Sequence, residues 1–284
     1  MKVTVTAENI SLPRRNQDTH KGDYGKCLIV AGSTGYTGAP CLAARAAVRS
    51  GAGLVYLCVP EETYTIVAAK NDEAMVFPLP SLGGTLAKES SHEVLRRLDG
   101  SSVCLIGPGL GRSESSDAVV RDVIKASHIP LVVDADGINS VAMNIDVLRE
   151  AGCPVIMTPH EGEFLRLGRS LKEGRETAAR NFAEEYGCIL VLKGHRTVTA
   201  FPDGDTFLNT TGNAGMAKGG SGDVLSGILA GLIGQGMPLK EAVPAAVWLH
   251  GRAGDLAAER LGEYSMSPSD IIEALPGAIK TIVR

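Results

Sequence analysis

The feature that most constrains the fold is a series of short apolar runs whose residues do not alternate with polar ones. Such runs are typical of strands covered on both faces, because a strand with one solvated face alternates apolar and polar side chains. The runs are CLIVAG (27–32), GLVYLCV (53–59), SVCLIG (102–107), PLVVDAD (130–136), CPVIMTP (153–159) and CILVLKG (188–194). Helical patterns separate them at 38–50, 61–70, 85–98, 114–126 and 174–186. We therefore predict an α/β fold with a mainly parallel central sheet and helices on both faces.

The pattern changes after residue 195. The stretch RTVTAFPDGDTFLN (196–209) contains two β-rich runs around a PDGD turn, which predicts a hairpin that closes one edge of the sheet. Two further helices are predicted, at 224–234 and 239–260. No linker, repeat or low-complexity segment interrupts the pattern, so we expect residues 1–284 to form a single domain.

The amino-acid composition limits the classes of function that the chain can have. Hydrophobic residues make up 44% of the chain and charged residues 21%, which favours a large core over disorder. The net charge of −4 and the lack of a basic tract argue against nucleic acid or a membrane surface as partner. Six dispersed cysteines without a CxxC pair, and an N-terminus without an apolar signal core, lead us to expect reduced thiols and a cytoplasmic protein.

Five predicted strands end in loops rich in glycine and polar residues. Ligands bind at this edge of a parallel sheet, which makes the loops candidates for one binding crevice. In these loops His160 is predicted to contact a ligand, and Lys193 is placed to meet a phosphate. Glu163 either holds Mg²⁺ through water or caps the next helix, and one of Asp134 and Asp136 is expected to orient a loop. The loops read AGSTGYTGA (31–39), IGPGLGR (106–112), VDADGIN (133–139), TPHEGEF (158–164) and LKGHRT (192–197).

The segment NAGMAKGGSGDVLSG (213–227) joins a glycine-rich loop directly to an apolar helix. Glycines let several N–H groups point one way, and the positive end of the helix adds to them, which favours an anion hole for phosphate. The alternative is a plain helix start capped by Ser221 or Asp223. The segment is not a Walker loop, because GxxxxGK[ST] is absent, although Lys218 lies close by. The predicted anion hole consists of Gly219, Gly220, Ser221 and Gly222.

GPGLG (107–111) permits another interpretation, a dinucleotide-binding oxidoreductase. This signal is weak, because no acidic residue ends a second strand at the distance that such a fingerprint requires. His20 and His250 are interpreted as structural residues.

Seven stretches between about residues 20 and 275 resemble, in order, the ADP-dependent NAD(P)H-hydrate dehydratase family, which implies a ribokinase-like fold. Many bacterial members carry an epimerase domain in front of this one; here so little precedes the first motif that we expect the stand-alone form. The matching stretches are HKGDYGKCLIVAGS, GAPCLAARAAVRSGAGLVYLCVPE, IGPGLG, VDADGIN, TPHEGEF, VLKGHRT and NAGMAKGGSGDVLSGILAGL.

The resemblance implies roles for individual residues. Ala39, Gly109 and His160 resemble contacts to the damaged nicotinamide nucleotide. Asp223 corresponds to the residue that meets the substrate and serves as catalytic base in ribokinase-like enzymes. Glu163 resembles the acidic member of an NxxE-type motif that helps to place Mg²⁺, but His160 stands where that motif has asparagine. Nucleotide binding is implied for Lys193, Gly194, His195, Arg196, Thr197 and Gly222.

The implied activity is that of a lyase that repairs nicotinamide nucleotides. It would return the S epimers of NADH hydrate and NADPH hydrate to NADH and NADPH, with Mg²⁺ as cofactor and ADP as phosphoryl donor. Hydroxide is a poor leaving group, and phosphorylation of the substrate hydroxyl makes its elimination easy. The implied functional partner is NAD(P)H-hydrate epimerase, and a homo-oligomer such as a tetramer is expected. The helix N-terminus next to Asp223 predicts a weakened base, which a loose phosphoryl-transfer transition state tolerates.

Two other classes would use the same anion hole. A vitamin-precursor kinase of the ribokinase-like fold would release a stable phosphate ester rather than inorganic phosphate. A nucleotide-sensing protein would bind nucleotide and turn nothing over.

Overall fold

The computed structural model describes residues 1–284, and ten of its twelve strands form one sheet. The sheet order is β1-β12-β11-β10-β9-β8-β7-β2-β3-β4, and β5 and β6 form a separate antiparallel pair. All neighbours in the sheet are parallel except β11, which is antiparallel to β10 and β12. The strands are β1 (Lys2–Val5), β2 (Lys26–Val30), β3 (Leu54–Pro60), β4 (Met75–Leu79), β5 (Ser81–Leu82), β6 (Thr85–Leu86), β7 (Val103–Ile106), β8 (Leu131–Val133), β9 (Val155–Met157), β10 (Ile189–Leu192), β11 (Val198–Ala200) and β12 (Thr206–Asn209). The prediction of an α/β fold with a mainly parallel sheet is confirmed.

Ten α-helices cover the sheet. None of them combines the length and the apolar character that crossing a membrane requires. They are α1 (Gly38–Arg49), α2 (Glu61–Ala68), α3 (Ser90–Leu98), α4 (Glu114–Ala126), α5 (Asp136–Met143), α6 (Glu161–Arg166), α7 (Arg175–Tyr186), α8 (Ser221–Gly234), α9 (Leu239–Leu261) and α10 (Pro268–Lys280). Three short 3₁₀ segments complete the helical structure, at Lys21–Tyr24, Ile145–Glu150 and Ala214–Met216.

The sheet separates two hydrophobic cores, one on each face, and the side chains of β2 contribute to both. Cys27 and Ile29 pack into the core under α1, α8, α9 and α10, whereas Leu28 and Val30 pack into the core under α3, α4 and α7. Successive side chains of a strand point to opposite faces, so a strand buried on both sides is apolar at every position. This is the physical reason for the uninterrupted apolar runs in the sequence.

Helix α8 lies unusually close to α1, and glycine makes this possible. A Cβ atom on Gly227 would overlap the carbonyl oxygen of Ala43, and one on Gly231 would lie 2.8 Å from the carbonyl oxygen of Ala47. Nearly all of α8 is buried beyond its first turn. The packing therefore fixes where the N-terminal turn of α8, with Asp223, meets the sheet.

The strand order creates a topological switch point between β2 and β7, because the chain continues to one side from β2 and to the other side from β7. Ligands bind in the crevice outside the carboxyl ends of strands at such a point. Here two loops meet: Gly32 N–H donates to Pro108 O (2.8 Å), and the Ser33 hydroxyl donates to Gly109 O (2.8 Å).

Two predictions about elements need correction. The hairpin of β11 and β12 is present, but it does not close the sheet, because β1 pairs with β12 in parallel and occupies the edge. In β1 the lysine and threonine are exposed and only Val5 is fully buried, so the strand carries a weak alternating pattern. Part of the predicted helix 85–98 is instead β6, and α3 begins only at Ser90. Helices α5, α6 and α10 and strand β4 were not predicted.

Candidate active site

All of the loops predicted to bind a ligand lie at one edge of the sheet. The loop that contains Ala39 and the loop that contains Gly109 pack together there and form one wall of the crevice. Gly109 has a φ of 61°, and a Cβ atom there would lie 3.0 Å from the Cβ of Ala39 and from that of Tyr36. Glycine is therefore required at 109 for both conformation and space. The structure thus brings together Ala39 and Gly109, two predicted substrate contacts that are far apart in the sequence.

His160 and Glu163 form the N-terminal cap of α6. The Glu163 N–H donates to His160 Nδ1 (3.1 Å), and Glu163 Oε2 accepts from the His160 N–H (2.8 Å). This reciprocal pair is a capping box, with histidine in the place usually taken by serine or threonine. It shows the capping role that the sequence left open for Glu163, while the His160 ring stays half exposed toward the crevice.

A buried ion pair lies beneath the crevice. Asp134 follows β8 and is 1% exposed. Its Oδ1 accepts from Lys193 Nζ (2.7 Å) and the Thr158 hydroxyl (2.7 Å), and its Oδ2 accepts from the Ser226 hydroxyl (2.5 Å). Burial disfavours the Asp134 carboxylate, but Lys193 and these hydrogen bonds outweigh it and lower its pKa. Lys193 is thereby fixed between β8, β10 and α8.

Lys193 also faces a second carboxylate. Its Nζ lies 3.9 Å from Glu163 Oε2. Burial disfavours the ammonium, yet Asp134 and Glu163 outweigh it and raise the pKa of Lys193 above its ordinary value. Burial raises the pKa of Glu163, against the charge of Lys193. The ammonium predicted to meet phosphate directly is therefore already paired.

Asp223 lies in the first turn of α8, above this ion pair. Burial and, second to it, the charge of Asp134 raise the pKa of Asp223 to about 7, and Lys193 offsets only part of the shift. The sequence predicted the opposite, a base weakened by the helix N-terminus. That prediction is wrong because desolvation and the neighbouring carboxylate outweigh the helix dipole. Asp223 is consequently a stronger base than an ordinary aspartate.

This shift leads to a pH prediction. If Asp223 acts in its ionised form, kcat/KM is expected to rise with pH and to level off above an apparent pKa near 7. The measurement is a pH–rate profile from about pH 5 to pH 9. An aspartate with an ordinary pKa would be ionised throughout this range, and kcat/KM would then not change with pH on its account. An activity that is flat down to about pH 5 would contradict this assignment.

The same shift has a consequence for stability. Between the ordinary pKa of 3.8 and the folded-state value of about 7, the folded chain holds a proton that the unfolded chain has released. The resulting stabilisation is present at low pH and is lost as the pH rises through about 7. Asp223→Asn should remove this component from the pH dependence of Tm, which provides a check without substrate.

The glycine turn before α8 presents unpaired donors. The backbone N–H groups of Gly219, Gly220, Gly222 and Asp223 donate to no protein acceptor, as an anion hole at a helix N-terminus requires. The Ser221 N–H, which was predicted to belong to this set, instead donates to Lys218 O (3.2 Å). Lys218 is also unavailable to phosphate, because its ammonium donates to the backbone oxygens of Tyr264 (2.8 Å) and Met266.

Helix α9 contacts both this turn and the loop that precedes it. His250 Nε2 lies 3.3 Å from the Ser221 hydroxyl, and burial lowers the pKa of His250 to about 4, so the ring is neutral near pH 7. Asp255 accepts from the Gly212 N–H (3.0 Å) and from Asn213 Nδ2 (3.1 Å). His250 was predicted to be structural, and no role was predicted for Asp255. The two residues are five positions apart in HGRAGD, about 140° around the helix, so no one-face pattern in the sequence pairs them.

The remaining predicted residues lie at the exposed edge of the crevice or stabilise the loops that surround it. Gly194, His195 and Arg196 are exposed, and the Thr197 hydroxyl donates to Gly194 O (3.1 Å). Asp136 orients a loop, as expected for one of the two aspartates, since its Oδ2 accepts from the Gly111 N–H (3.0 Å).

No three side chains of His, Cys, Asp or Glu are grouped as a metal site. Cavities of about 240 Å³, between α1 and α10, and about 450 Å³, at the amino ends of β2 and β7, lie away from this edge.

Together, the fold and the site give an α/β protein whose features suit phosphoryl transfer. Unpaired N–H groups at a helix N-terminus suit a phosphate, and a carboxylate of raised pKa beside them suits the acceptance of a proton. The chain belongs to the NAD(P)H-hydrate dehydratase family, whose model matches residues 27–277. Dehydration makes the members of this family lyases.

Two curated relatives show the extent of the match. The bifunctional NAD(P)H-hydrate repair enzyme of Moorella thermoacetica is 43% identical over 276 residues, which cover 95% of this chain and 52% of the relative. The ADP-dependent (S)-NAD(P)H-hydrate dehydratase of Neisseria meningitidis is 35% identical over 255 residues, covering 87% of this chain and 82% of the relative. The chain spans about half of the length of the bifunctional relatives that it matches.

Solved structures agree on the fold, which is ribokinase-like. A ribokinase-like superfamily protein from Enterococcus faecalis superposes with a TM-score of 0.88 at 29% identity, covering 99% of this chain and 96% of the other. The ADP/ATP-dependent NAD(P)H-hydrate dehydratase of Bacillus subtilis, co-crystallised with ATP and Mg²⁺, has a TM-score of 0.82 at 32% identity, covering 97% of this chain and 96% of the other.

Proposed function

We propose that the protein returns the S epimers of NADH hydrate and NADPH hydrate to NADH and NADPH, with ADP as phosphoryl donor and AMP and phosphate as products. The observation that carries the proposal is the position of Asp223, a carboxylate with a pKa of about 7 directly beside unpaired backbone N–H groups. A kinase step needs this pair of functions: one accepts the hydroxyl proton, and the other stabilises the charge on phosphate.

The first step transfers the β-phosphoryl group of ADP. The substrate hydroxyl oxygen forms a bond to the β-phosphorus, the bond from that phosphorus to the bridging oxygen breaks, and AMP leaves. Asp223 accepts the hydroxyl proton. The N–H groups of Gly219, Gly220 and Gly222 hold the transferring phosphate. The positive charge of Lys193, which lies next to Gly222, adds to the electrostatic attraction of these groups for the phosphate.

The second step eliminates phosphate from the ring. The lone pair of the ring nitrogen expels it by breaking the carbon–oxygen bond, and the neighbouring carbon then loses a proton, which restores the double bond. No hydride moves and no redox cofactor is needed, so the products are NADH or NADPH, AMP and inorganic phosphate. Ala39, Gly109 and His160 are proposed to contact the substrate, and residues 193–197 the nucleotide.

Magnesium fits this site as an ion brought in on the nucleotide. Mg²⁺ commonly retains several waters and binds phosphates together with one or two carboxylates, so a cluster of three protein ligands is not required. The oxygens of Asp134 are already taken by donors. Asp223 is the carboxylate nearest to the anion hole, and Glu163 would reach the ion through water. When bound, Mg²⁺ would neutralise phosphate charge.

The proposal is tested with chemically hydrated NADH, Mg²⁺ and ADP. Return of the reduced-nicotinamide absorbance together with inorganic phosphate is expected. Accumulation of a stable phosphate ester would indicate a kinase instead, and binding without turnover a nucleotide sensor. Because only the S epimer is the proposed substrate, the functional partner is an epimerase that interconverts the two hydrates.

ADP is expected to be a better donor than ATP by ~10-fold in kcat/KM, which corresponds to ~1.4 kcal/mol. Lys193 and Lys218 are both engaged by protein oxygens, so a third phosphate would meet few free cations beyond exposed Arg196. The measurement is kcat/KM for repair of NADH hydrate with each nucleotide at matched free Mg²⁺. Equal or higher efficiency with ATP would overturn the donor assignment alone.

A further inference from the structure

Arg175, the first residue of α7, lies against the loop that follows β10. Its Nη1 donates to the backbone oxygens of His195 (2.6 Å) and Arg196 (3.2 Å). Its Nη2 donates to those of Leu192 and Lys193, each at 3.0 Å. One guanidinium therefore binds four backbone oxygens of residues 192–196, and its planar fork fits this arrangement better than the single ammonium of lysine would.

The loop depends on this contact for its shape. Gly194 has a φ of 153°, and a Cβ atom on it would lie 2.6 Å from Arg175 Nη2. Arg196 has a φ of 57°, a left-handed conformation that side chains rarely adopt. Such backbone persists only where surrounding contacts impose it, and Arg175 supplies four of them.

The orientation of the carbonyl groups determines where the N–H groups point. Every peptide bond is trans, so the N–H that follows a carbonyl points away from it. Because the carbonyls of His195 and Arg196 point at Arg175, the N–H groups of Arg196 and Thr197 point to the opposite side. Neither donates to a protein acceptor. Two successive free N–H groups next to a left-handed residue form an anion-binding concavity.

Arg175 also connects this loop to the substrate side. Its Nε lies 3.0 Å from Glu161 Oε1, and Glu161 directly follows His160 at the start of α6. The Lys193 N–H donates to Pro159 O (2.8 Å), so the two loops are joined by both backbone and side chain.

We propose that Arg175 is a positioning residue that holds residues 192–197 in the shape that presents the N–H groups of Arg196 and Thr197 to a phosphate of a nucleoside diphosphate. This inference rests on the proposed use of ADP at this site. Arg175 touches neither substrate nor nucleotide in this role, since its guanidinium is directed at the backbone of the loop.

The test is ADP binding and turnover in Arg175→Lys and Arg175→Ala. A lysine keeps the charge but cannot bind four oxygens, so both variants are expected to raise the KM and Kd for ADP at least ~10-fold, which corresponds to ~1.4 kcal/mol of lost binding free energy. The kcat at saturating ADP should change much less. Guanidinium ion at low millimolar concentration should partly restore ADP affinity in Arg175→Ala, which a general loss of stability would not permit.

Arg180→Ala is the matched control, because Arg180 lies on the same helix, is exposed and makes no hydrogen bond or ion pair within the protein. It should bind ADP like the parent protein. If Arg175→Ala does not fold, Arg175→Lys carries the test. Parent-like Kd and KM for ADP in Arg175→Lys would overturn the inference. Absence of ADP binding by the parent protein itself would instead contradict the proposed function.

Discussion

Asp223→Asn is expected to lower the turnover of NADH hydrate by at least ~10²-fold, the usual scale for a general base. Asparagine keeps the size of the side chain but cannot accept the hydroxyl proton. Phosphate binds to backbone N–H groups rather than to this side chain, so the affinity for ADP should be largely retained. The measurements are kcat for the repair of NADH hydrate and the Kd for ADP by calorimetry.

Stability provides the control for this variant. Above about pH 7 the Asp223 carboxylate is ionised although burial and Asp134 disfavour its charge. Replacing it with a neutral amide should therefore leave Tm unchanged or raise it at about pH 8. A variant that is stable, binds ADP and is inactive would support the assignment of Asp223 as the catalytic base. Near-normal turnover in this variant would contradict that assignment.

Gly222→Val is expected to weaken ADP binding by ~10²-fold or more while the fold survives, which corresponds to a loss of at least ~2.8 kcal/mol of binding free energy. A Cβ atom on Gly222 would lie 3.3 Å from Lys193 Nζ and 3.9 Å from Asp134 Oδ2, so the valine side chain would have to displace groups next to the proposed anion hole. The φ of Gly222 is not in the left-handed region, so the effect arises from the added atoms and not from backbone strain. The measurement is calorimetric titration with ADP.

Gly152→Val is the matched control for that substitution. Gly152 is exposed, lies before β9 at the opposite edge of the sheet, and a Cβ atom there would meet only Ser127 O at 3.8 Å. It should bind ADP normally. Unchanged ADP affinity in Gly222→Val would mean that the anion hole lies elsewhere in the crevice.

Much of the fold could be predicted because its signals are local. The six apolar runs are all strands, and helix 114–126 has the predicted bounds. Strand β1 was not predicted because a short, partly exposed strand shows too weak a pattern. Its pairing with β12 also brings residues 2–5 next to residues 206–209, a contact that no local pattern indicates. The hairpin of β11 and β12 was therefore predicted to end the sheet, although β1 is its edge strand.

The candidate residues could be found for a similar reason. The carboxyl ends of parallel strands lie at one edge, so loops such as AGST and GPGLG had to meet once the sheet was parallel. Arg175 gave no such signal. It begins a surface helix, and only the folded chain shows that its guanidinium contacts residues 192–196.

The sequence by itself determined the six buried strands, the glycine turn before α8 and the identity of Asp223 as the acidic residue beside it. Only the tertiary structure decided the charges around that residue. Asp134, Lys193 and Asp223 come from three distant parts of the chain, and their pKa values depend on burial and on mutual distances of a few ångströms. The helix N-terminus is a local feature and predicted a weak base. The desolvation and the carboxylate that reverse this prediction are properties of the packed interior, which no local pattern encodes.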